Sequence, residues 1–491
     1  MELSLIPQPK QVNMREGKAD IHIPEEYQIM EGMPQEAYQL DIMAEKVWIR
    51  GGSKAALAYG KATLEQIRTQ CRKELPCVSI TDEPAFEWRA FHIDCARHFI
   101  PLEELKKMVR MAALFKFNRF HWHFSDDQGW RIESKAFPRL HQIGAYRNGD
   151  YFGQYKKEGK EGGFYTREQV RELVSFCDAQ GIEVVPEVDI PGHVTAILAA
   201  YPHLGCRGER LETAMKNGIF PDILCAGKEE TYTFLERLLE DLLELFPGRY
   251  FHIGGDETPK IRWKECPICR RRMEDEGLSD VRELQGYLQN RVIALLKAHG
   301  RTAIVWNEAV LGGNLDVDAA VQLWTEEESG NLAKHMEKGG RIILSPMKNS
   351  YCDYPYGFIS LKSVYELDIM PEGLKEIIKE AASQGKQMIM GTECLVWTEF
   401  IRDPERLEKL CWPRYTASAE VGWCGSDRPG FEDFSRRLHN LYLLFEKFGV
   451  EATSEEGWIP SEEETGRQLA DFMKNFPAED LAKIREAQSQ V

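Results

Sequence analysis

Two adjacent carboxylates, Asp256 and Glu257, are the residues of this chain whose types and spacing point most directly to chemistry. They follow Gly254-Gly255, and such a glycine pair lets the backbone turn tightly beside a ligand. Successive side chains then point in different directions, which allows them different tasks on one substrate. Interaction between two acids also raises the pKa of one of them, so that a protonated general acid can exist near neutral pH. An isolated Asp-Glu pair is usually a solvated turn, so this interpretation depends on the surrounding residues.

Further carboxylates, aromatic rings and one arginine follow short apolar segments that predict strands. Aromatic side chains pack against the apolar C–H faces of sugar rings, and charged groups form strong hydrogen bonds with sugar hydroxyls. A shared position at strand ends would bring these side chains together, so the set predicts a carbohydrate site. Its members are Arg97, His98, Asp126, Asp127, Asp189, His193, Trp306, Glu308, Trp324, Tyr351, Asp353, Trp397 and Glu399.

The elements that must position these residues follow a βα pattern from Phe86 onward, with short apolar segments alternating with amphipathic helices. One helix is especially clear, because Thr166 and Gln169 form a capping box at its start and Gly181 ends it. Eight apolar segments are the number that closes a (β/α)₈ barrel, whose active site lies at the carboxyl ends of its strands. The predicted strands are residues 90–94, 119–124, 183–188, 250–253, 303–306, 320–324, 341–344 and 387–390.

The predicted fold class is therefore α/β, with three parts. A small α+β domain at residues 1–85 contains strands at 38–42 and 47–50 and a helix from Lys54 to about Cys71. Thr81-Asp82-Glu83-Pro84 is the expected linker into a catalytic TIM barrel at residues 86–425. Residues 426–491, rich in Glu, Lys and Leu, are predicted to form C-terminal helices.

Composition and charge exclude several classes of partner. The 491 residues include 62 Lys and Arg against 79 Asp and Glu, which gives a net charge of −17. Because nucleic-acid binding depends on clustered basic side chains, no nucleic acid partner is expected. No membrane partner is expected either, since no segment approaches the roughly 20 apolar residues of a span and the N-terminus shows no secretory signal. Twelve scattered cysteines favour a cytoplasmic location, and a secreted protein whose signal has been removed stays an alternative.

The pair Cys266 and Cys269 has a spacing found in metal sites. A closed zinc site needs four ligands, however, and the sequence offers no second Cys-x-x-Cys pair and no suitably spaced histidines. The two cysteines are therefore interpreted as structural turn residues, and neither a metal nor a cofactor is expected.

Several long motifs, taken in order, resemble those of the family 20 glycoside hydrolases, the β-N-acetylhexosaminidases. The resemblance extends over roughly residues 5–425 and includes the small N-terminal domain. The matching segments are DCARHF at 94–99, HWHFSDDQGWR at 121–131, PEVDIPGH at 186–193, HIGGDE at 252–257, WNE at 306–308, YCD at 351–353, WTE at 397–399 and WPR at 412–414.

This resemblance implies hydrolysis of terminal β-linked N-acetylglucosamine or N-acetylgalactosamine, with Glu257 as general acid/base and Asp256 orienting the acetamido group. The acetamido oxygen of the substrate would itself attack the anomeric carbon and form an oxazolinium intermediate. The other implied roles are a hydrogen bond to that oxygen from Tyr351, walls from Trp306, Trp324 and Trp397, hydroxyl ligands in Arg97, Asp353 and Glu399, and a relay of Asp126 and His193 that tunes Glu257.

Alternatives remain for both the reaction and individual residues. A glycosidase with a carboxylate nucleophile would need a second carboxylate about 5 Å from the acid. A carbohydrate-binding barrel without catalysis is disfavoured because Asp256 and Glu257 are both present. Asp189 is expected either in the pocket or as a buried support of the His193 loop. Loops such as residues 146–164 are expected to decide the preferred sugar and the group beyond the cleaved bond.

Overall fold

The computed structural model describes residues 3–325 and 329–477, together with the single positions 482 and 489. Its N-terminal part is a sheet in the spatial order 1-5-3-4-2, covered by a helix that confirms the prediction from Lys54 onward. The predicted strands at 38–42 and 47–50 are also confirmed. In chain order the strands are β1 (Gln11–Asp20), β2 (Glu25–Ile29), β3 (Tyr38–Ile42), β4 (Val47–Gly51) and β5 (Glu74–Asp82).

Three strands of this sheet are not predicted by the sequence pattern. Most side chains of β1 and β2 are exposed, so these strands lack the apolar alternation that indicates a strand. Thr81 and Asp82, assigned to a linker, are instead the end of β5. Asp82 is buried there, where it accepts a hydrogen bond from Tyr38 at 2.9 Å and pairs with Lys116 at 3.0 Å.

Eight parallel strands then close into a barrel, which confirms the predicted fold class. Seven of the predicted strands agree with the structure to within two residues at each end. In chain order, the elements after β5 are the barrel strands β6 (Trp88–Asp94) and β7 (Arg119–His123), the hairpins β8 (Ser125–Asp126) with β9 (Gly129–Trp130) and β10 (Tyr146–Asp150) with β11 (Lys157–Gly162), and the barrel strands β12 (Glu183–Glu187), β13 (Tyr250–His252), β14 (Thr302–Trp306), β15 (Ala320–Leu323), β16 (Ile342–Leu344) and β17 (Ile389–Cys394).

The prediction for the last strand, at 387–390, is wrong in its extent, because β17 continues to Cys394. Its second half contains Glu393, a polar residue that the pattern does not favour within a strand. Glu393 is fully buried inside the barrel, where it accepts a hydrogen bond from Trp88 Nε1 at 3.1 Å and pairs with His121 Nδ1 at 2.7 Å. The polar partners inside the barrel, rather than apolar packing, accommodate this part of the strand.

The interior of the barrel changes from apolar to polar towards the carboxyl ends of the strands. An apolar layer that includes Trp88 and Val185 fills the lower part. Two residues further along β12, on the same face of the strand, Glu187 lies within 3.1 Å of both His121 and His252. The polar layer directly supports the strand ends, where the candidate site residues begin.

The helices surround the barrel and continue beyond it. The capping box of Thr166 and Gln169 is confirmed. Predicted helices beyond 425 are present up to Met473, and the rest of the predicted C-terminal segment, from 478 on, lies outside the described residues apart from 482 and 489. Within the described chain, no helix is both long and apolar enough to cross a membrane. The α-helices are Lys54–Gln70, Leu102–Leu114, Arg167–Ala179, Thr195–Ala200, Glu229–Leu243, Ile261–Glu265, Pro267–Asp275, Val281–Ala298, Ser329–Glu337, Met347–Ser350, Leu361–Tyr365, Lys375–Ser383, Pro404–Cys411, Arg414–Cys424, Phe431–Leu441, Leu443–Lys447, Glu455–Trp458 and Glu462–Met473.

Candidate active site

A pocket of about 280 Å³ lies at the carboxyl ends of the barrel strands. Nine of the eleven residues expected to bind or convert a substrate line it, although they are spread over 303 positions of the sequence, from 97 to 399. The other two, Asp126 and Trp306, lie behind the pocket wall. The nine are Arg97, His193, Asp256, Glu257, Trp324, Tyr351, Asp353, Trp397 and Glu399.

The turn after β13 explains why two glycines precede the carboxylates. Gly254 and Gly255 both have positive φ angles, 62° and 107°, which favour glycine. A Cβ atom at Gly254 would also collide with the carboxylate of Asp189. That carboxylate accepts a hydrogen bond from the Gly255 N–H at 3.1 Å, so Asp189 supports the turn that presents Asp256. From the sequence, Asp189 is expected either in the pocket or as a support of the His193 loop. The structure favours a buried support, but of the turn before Asp256.

Asp256, Glu257 and His193 meet at one side of the pocket. The imidazole Nε2 of His193 lies 3.8 Å from Asp256 Oδ2 and 3.6 Å from Glu257 Oε2. The other nitrogen, Nδ1, lies 3.2 Å from Asp126. His193 and Glu257 both have positive φ angles, 51° and 37°, a strained conformation for residues with a side chain and one that concentrates at functional sites. The order Asp126, His193, Glu257 is the geometry that the predicted relay requires.

The charges on this side of the pocket shift the pKa values of its acids. Burial raises the pKa of Asp256 most; His193 lowers it and Glu257 raises it, and the resulting pKa is about 6. Burial likewise raises the pKa of Glu308, followed by the charges of Asp256 and Glu257, to about 8. Burial lowers the pKa of His193, but the charge of Asp126, hydrogen bonds with Asp126 and Asp127 and the charge of Asp256 together hold the imidazole pKa well above its ordinary value. At neutral pH the site therefore contains an imidazolium next to an ionised Asp256.

Arg97 anchors a second part of the pocket wall. Its guanidinium lies 2.8 Å from Asp126 and 3.2 Å from Asp94. A third carboxylate, Glu399, is 3.5 Å away and faces the pocket. Asp353 lies in the same wall, and burial, followed by the charge of Glu399, raises its pKa to about 8. Carboxyl groups with oxygen atoms left for a ligand can receive hydrogen bonds from sugar hydroxyls.

Three aromatic rings form a continuous wall beside Asp256. Tyr351 lies between Trp324 and Trp397, with ring centroids 6.2 Å from each. Trp306, also expected in this wall, is only 1% exposed and donates a hydrogen bond from Nε1 to Glu187 at 2.9 Å. It packs behind Trp397 at 6.0 Å, so a direct contact between Trp306 and an acetyl group stays a prediction.

Glu308 and several pocket-lining residues are missing from the predicted site. Glu308 is not itself part of the lining, but its carboxylate accepts hydrogen bonds from the Glu257 N–H at 3.1 Å and from Trp324 Nε1 at 3.2 Å. Its place in the WNE motif was the available signal. Gln128, Tyr354 and Phe400 also line the pocket, and they lie within or directly after the motifs at 121–131, 351–353 and 397–399. The remaining lining residues carry no comparable signal, because only the tertiary fold brings them to the pocket. These residues are Asn217, Gly218, Ile219, Met347, Ile401, Phe472 and Phe476.

The loop expected to decide the preferred sugar and the group beyond the cleaved bond does not reach the pocket. Within the described chain, residues 146–164 are absent from the pocket lining. They form the hairpin β10–β11. Its Asp150 lies 3.0 Å from His98, the residue that follows Arg97 in the sequence. The rim is formed instead by residues 217–219 and by Phe472 and Phe476.

Cys266 and Cys269, interpreted as structural turn residues, have neighbours that the sequence pattern does not indicate. The fold brings Cys206 and Cys225 to them, and the four sulfur atoms lie within 4.8 Å of one another. Single cysteines separated by 18 residues form no recognisable ligand pair, so this sequence contains no motif that joins them to Cys266 and Cys269. The four residues, called the cysteine cluster below, lie outside the pocket lining of the described chain.

Comparisons with known proteins agree with this geometry. The family description "Glycosyl hydrolase family 20, catalytic domain" matches residues 86–426, and "Glycosyl hydrolase family 20, domain 2" matches residues 22–83. The beta-hexosaminidase of Porphyromonas gingivalis is 36% identical over 439 residues, which are 85% of this chain and 54% of the relative. The beta-hexosaminidase of Akkermansia muciniphila is 31% identical over 94% of both chains. The exo-β-N-acetylglucosaminidase of Vibrio harveyi, solved with N-acetylglucosamine, superposes with a TM-score of 0.80 at 26% identity, covering 92% of this chain and 78% of that one.

Proposed function

Because the chain belongs to glycosyl hydrolase family 20, we propose that it is a β-N-acetylhexosaminidase. It releases terminal, non-reducing β-linked N-acetylglucosamine or N-acetylgalactosamine with retention of configuration. The chain spans about half the length of the Porphyromonas relative but nearly all of the Akkermansia relative. The proposal therefore concerns the activity of the barrel and the small N-terminal domain.

The observation that carries the proposal is a buried acid beside an aromatic wall. Asp256 Oδ1 is a buried oxygen atom that has no hydrogen-bond partner in residues 3–325 and 329–477. Such an atom is costly unless a ligand supplies a donor. An acetamido group supplies one in its N–H, while its methyl group fits against Trp324, Tyr351 and Trp397. A plain sugar hydroxyl at the same position would leave the aromatic wall without an apolar partner.

The chemistry follows from the directions of the two adjacent carboxyl groups. Glu257, whose side chain is 24% exposed in the pocket, donates a proton to the leaving-group oxygen. As the acetamido oxygen bonds to the anomeric carbon, positive charge develops on the acetamido nitrogen. The anion of Asp256 stabilises that charge, and Tyr351 donates a hydrogen bond to the attacking oxygen. Water, deprotonated by Glu257, then opens the oxazolinium ring and leaves the anomeric configuration as it was.

The dependence of the rate on the acetyl group tests this proposal. We expect the 4-nitrophenyl N-acetyl-β-glucosaminide to be hydrolysed more than about 10³-fold faster than the matching β-glucoside, because only the first carries its own nucleophile. Replacing the acetyl hydrogens stepwise by fluorine withdraws electrons from the attacking oxygen, so kcat should fall steeply from acetyl to trifluoroacetyl. Equal rates on both sugars, a flat fluorine series, or a glycosyl ester on a protein carboxylate in the mass spectrum would contradict it.

A further inference from the structure

We propose that the cysteine cluster binds one structural Zn²⁺ ion. Cys206, Cys225, Cys266 and Cys269 lie on the outside of the barrel, near the loops that follow β12 and β13. Three of the four are buried and Cys206 is half-buried. The inference concerns a site separate from the pocket and does not depend on the proposed activity.

Three of the six distances between the sulfur atoms are close to those of a zinc tetrahedron, and all six are within 4.8 Å. Zinc binds thiolate sulfur at about 2.3 Å, so two sulfur atoms on one tetrahedral ion lie about 3.8 Å apart. The recorded distances are 3.8 Å from Cys206 to Cys269, 3.9 Å from Cys225 to Cys266 and 3.5 Å from Cys225 to Cys269. A disulfide requires about 2.05 Å and joins sulfur atoms only in pairs. Here Cys225 is at a similar distance from two different partners.

The backbone around the cluster is arranged to bring the sulfur atoms together. A Cβ atom at Gly227 would collide with the backbone of Ile268 and Cys269, so glycine is needed for the close approach of the two segments. Ile268, between the paired cysteines, is 44% exposed, so the burial of its own side chain does not hold this turn in place. An ion bound by Cys266 and Cys269 supplies the missing attachment.

A lysine next to the cluster joins the segments that carry Cys206 and Cys225. Lys228 anchors the same segment, because its ammonium group donates hydrogen bonds to the carbonyls of His203 at 2.7 Å and Gly205 at 2.6 Å. Thiolates are the form in which cysteine binds metal. Binding of Zn²⁺ to four thiols releases four protons and changes no oxidation state.

The cluster joins two loops that carry the active site. Cys225 follows Leu224, whose N–H donates to the carbonyl of Pro191, two residues before His193. Trp263, six residues after Glu257, donates from Nε1 to the carbonyl of Leu224 at 2.8 Å. Because all four zinc positions would be occupied by cysteine, the ion has no open position for water and acts by holding the loops. The tied segment also includes residues 217–219, which form part of the pocket rim.

Metal analysis of the purified full-length protein tests the proposal. We expect about one zinc per chain by inductively coupled plasma mass spectrometry, both in the wild type and in Glu257→Gln. Cys269→Ser and Cys206→Ser should retain less than about a tenth of that zinc, because a thiolate ligand is lost. Cys71→Ser is the matched control, since Cys71 is a half-buried thiol outside the cluster, and it should keep the full amount.

A second measurement on the wild type covers the case in which the cluster variants do not fold. Titration with a mercurial reagent in the presence of a zinc-sensitive dye should release one zinc as four thiols react, and Tm should fall by more than about 5 °C. Zinc-free but folded wild-type protein, iron in place of zinc, or disulfides among the four cysteines under non-reducing peptide mapping would overturn the proposal. Absence of hexosaminidase activity alongside one bound zinc would contradict only the proposed function.

Discussion

The two sides of the pocket contain similar numbers of acids, but pKa values are shifted in opposite directions on the two sides. On the arginine side, defined here as Arg97 with Asp94 and Asp126, burial raises the pKa values of the two carboxyl groups, but Arg97 acting together with the imidazole of His123, and for Asp126 also that of His193, lowers both pKa values. On the carboxylate side, defined as Asp256, Glu257 and Glu308, no Arg or Lys lies within 4 Å of a carboxylate oxygen in the described chain. There the pKa values of Asp256 and Glu308 rise to about 6 and about 8.

This difference separates binding from chemistry. The paired charges of Arg97, Asp94 and Asp126 keep one protonation state over a wide pH range and hold the guanidinium in a fixed geometry, although Asp353 and Glu399, which face the pocket in the same wall, have raised pKa values. Acids without an Arg or Lys partner respond to small changes in charge, which suits groups that transfer protons or stabilise a charge that appears only in the transition state. We therefore expect substitutions on the carboxylate side to lower kcat and substitutions of Arg97 to raise KM, whereas Asp126 contacts both Arg97 and His193 and its substitution should affect both constants.

The largest effect is expected for Glu257→Gln. General acid assistance is worth about 10² to 10⁴ in rate, and an amide cannot donate the required proton. Turnover should therefore fall by that amount on a disaccharide or an alkyl glycoside, whose leaving groups need protonation. On 2,4-dinitrophenyl glycosides, whose leaving groups need little help, the first step should be nearly unaffected. Steady-state rates on both substrates check this, and equal losses would remove Glu257 from the role of acid.

Asp256→Asn comes next, because it keeps the shape of the carboxylate but removes its charge. Loss of one preorganised electrostatic contact typically costs about 10² to 10³ in kcat. The ionised form is the active one, so in the wild type kcat/KM should fall as the pH drops through about 6, the pKa of Asp256. The residual activity of Asp256→Asn should lack this decline. A pH profile from 4 to 8 for both proteins is the measurement, and an unchanged acidic limb would assign it to another group.

Both carboxylates were recognisable in the sequence because their signals are local. Gly254 and Gly255 predict a tight turn directly before Asp256, and the structure shows positive φ angles at both positions, which favour glycine. The barrel strands were predictable for the same reason, since most are short and continuously apolar. The last strand was the exception, because the buried Glu393 depends on Trp88 and His121, which are remote in sequence.

The parts that could not be predicted depend on partners brought together only by folding. Cys206 and Cys225 become candidate ligands only because they lie close to Cys266 and Cys269 in the folded chain, and no rule of sequence spacing predicts that proximity. Phe472 reaches the pocket rim from a C-terminal helix whose sequence indicates only an amphipathic surface. Local patterns therefore identify the groups that perform chemistry, whereas the shape of the rim is a tertiary property.

Arg97→Lys should have the smallest effect and tests the arginine side directly. Lysine keeps the charge but not the planar fork that reaches Asp126 at 2.8 Å, Asp94 at 3.2 Å and Gln128 at 3.0 Å. A hydrogen bond to a charged group contributes about 1.5 to 3 kcal/mol, so loss of one such bond to the sugar corresponds to about 10- to 100-fold in kcat/KM. Because that bond is present in both ground and transition states, the loss should come from a higher KM with kcat nearly unchanged.

The matched comparison for Arg97→Lys is Glu399→Gln. Glu399 belongs to the same wall, and its carboxylate faces the pocket 3.5 Å from the guanidinium. Glu399→Gln should also raise KM, and the two changes together should cost less than the sum of the single changes, because both weaken one hydrogen-bonded unit. Thermal unfolding of each variant separates this from a general loss of structure. If Arg97→Lys instead lowered kcat at constant KM, the guanidinium would be acting in the transition state, and the division of the pocket into a binding side and a chemical side would be wrong.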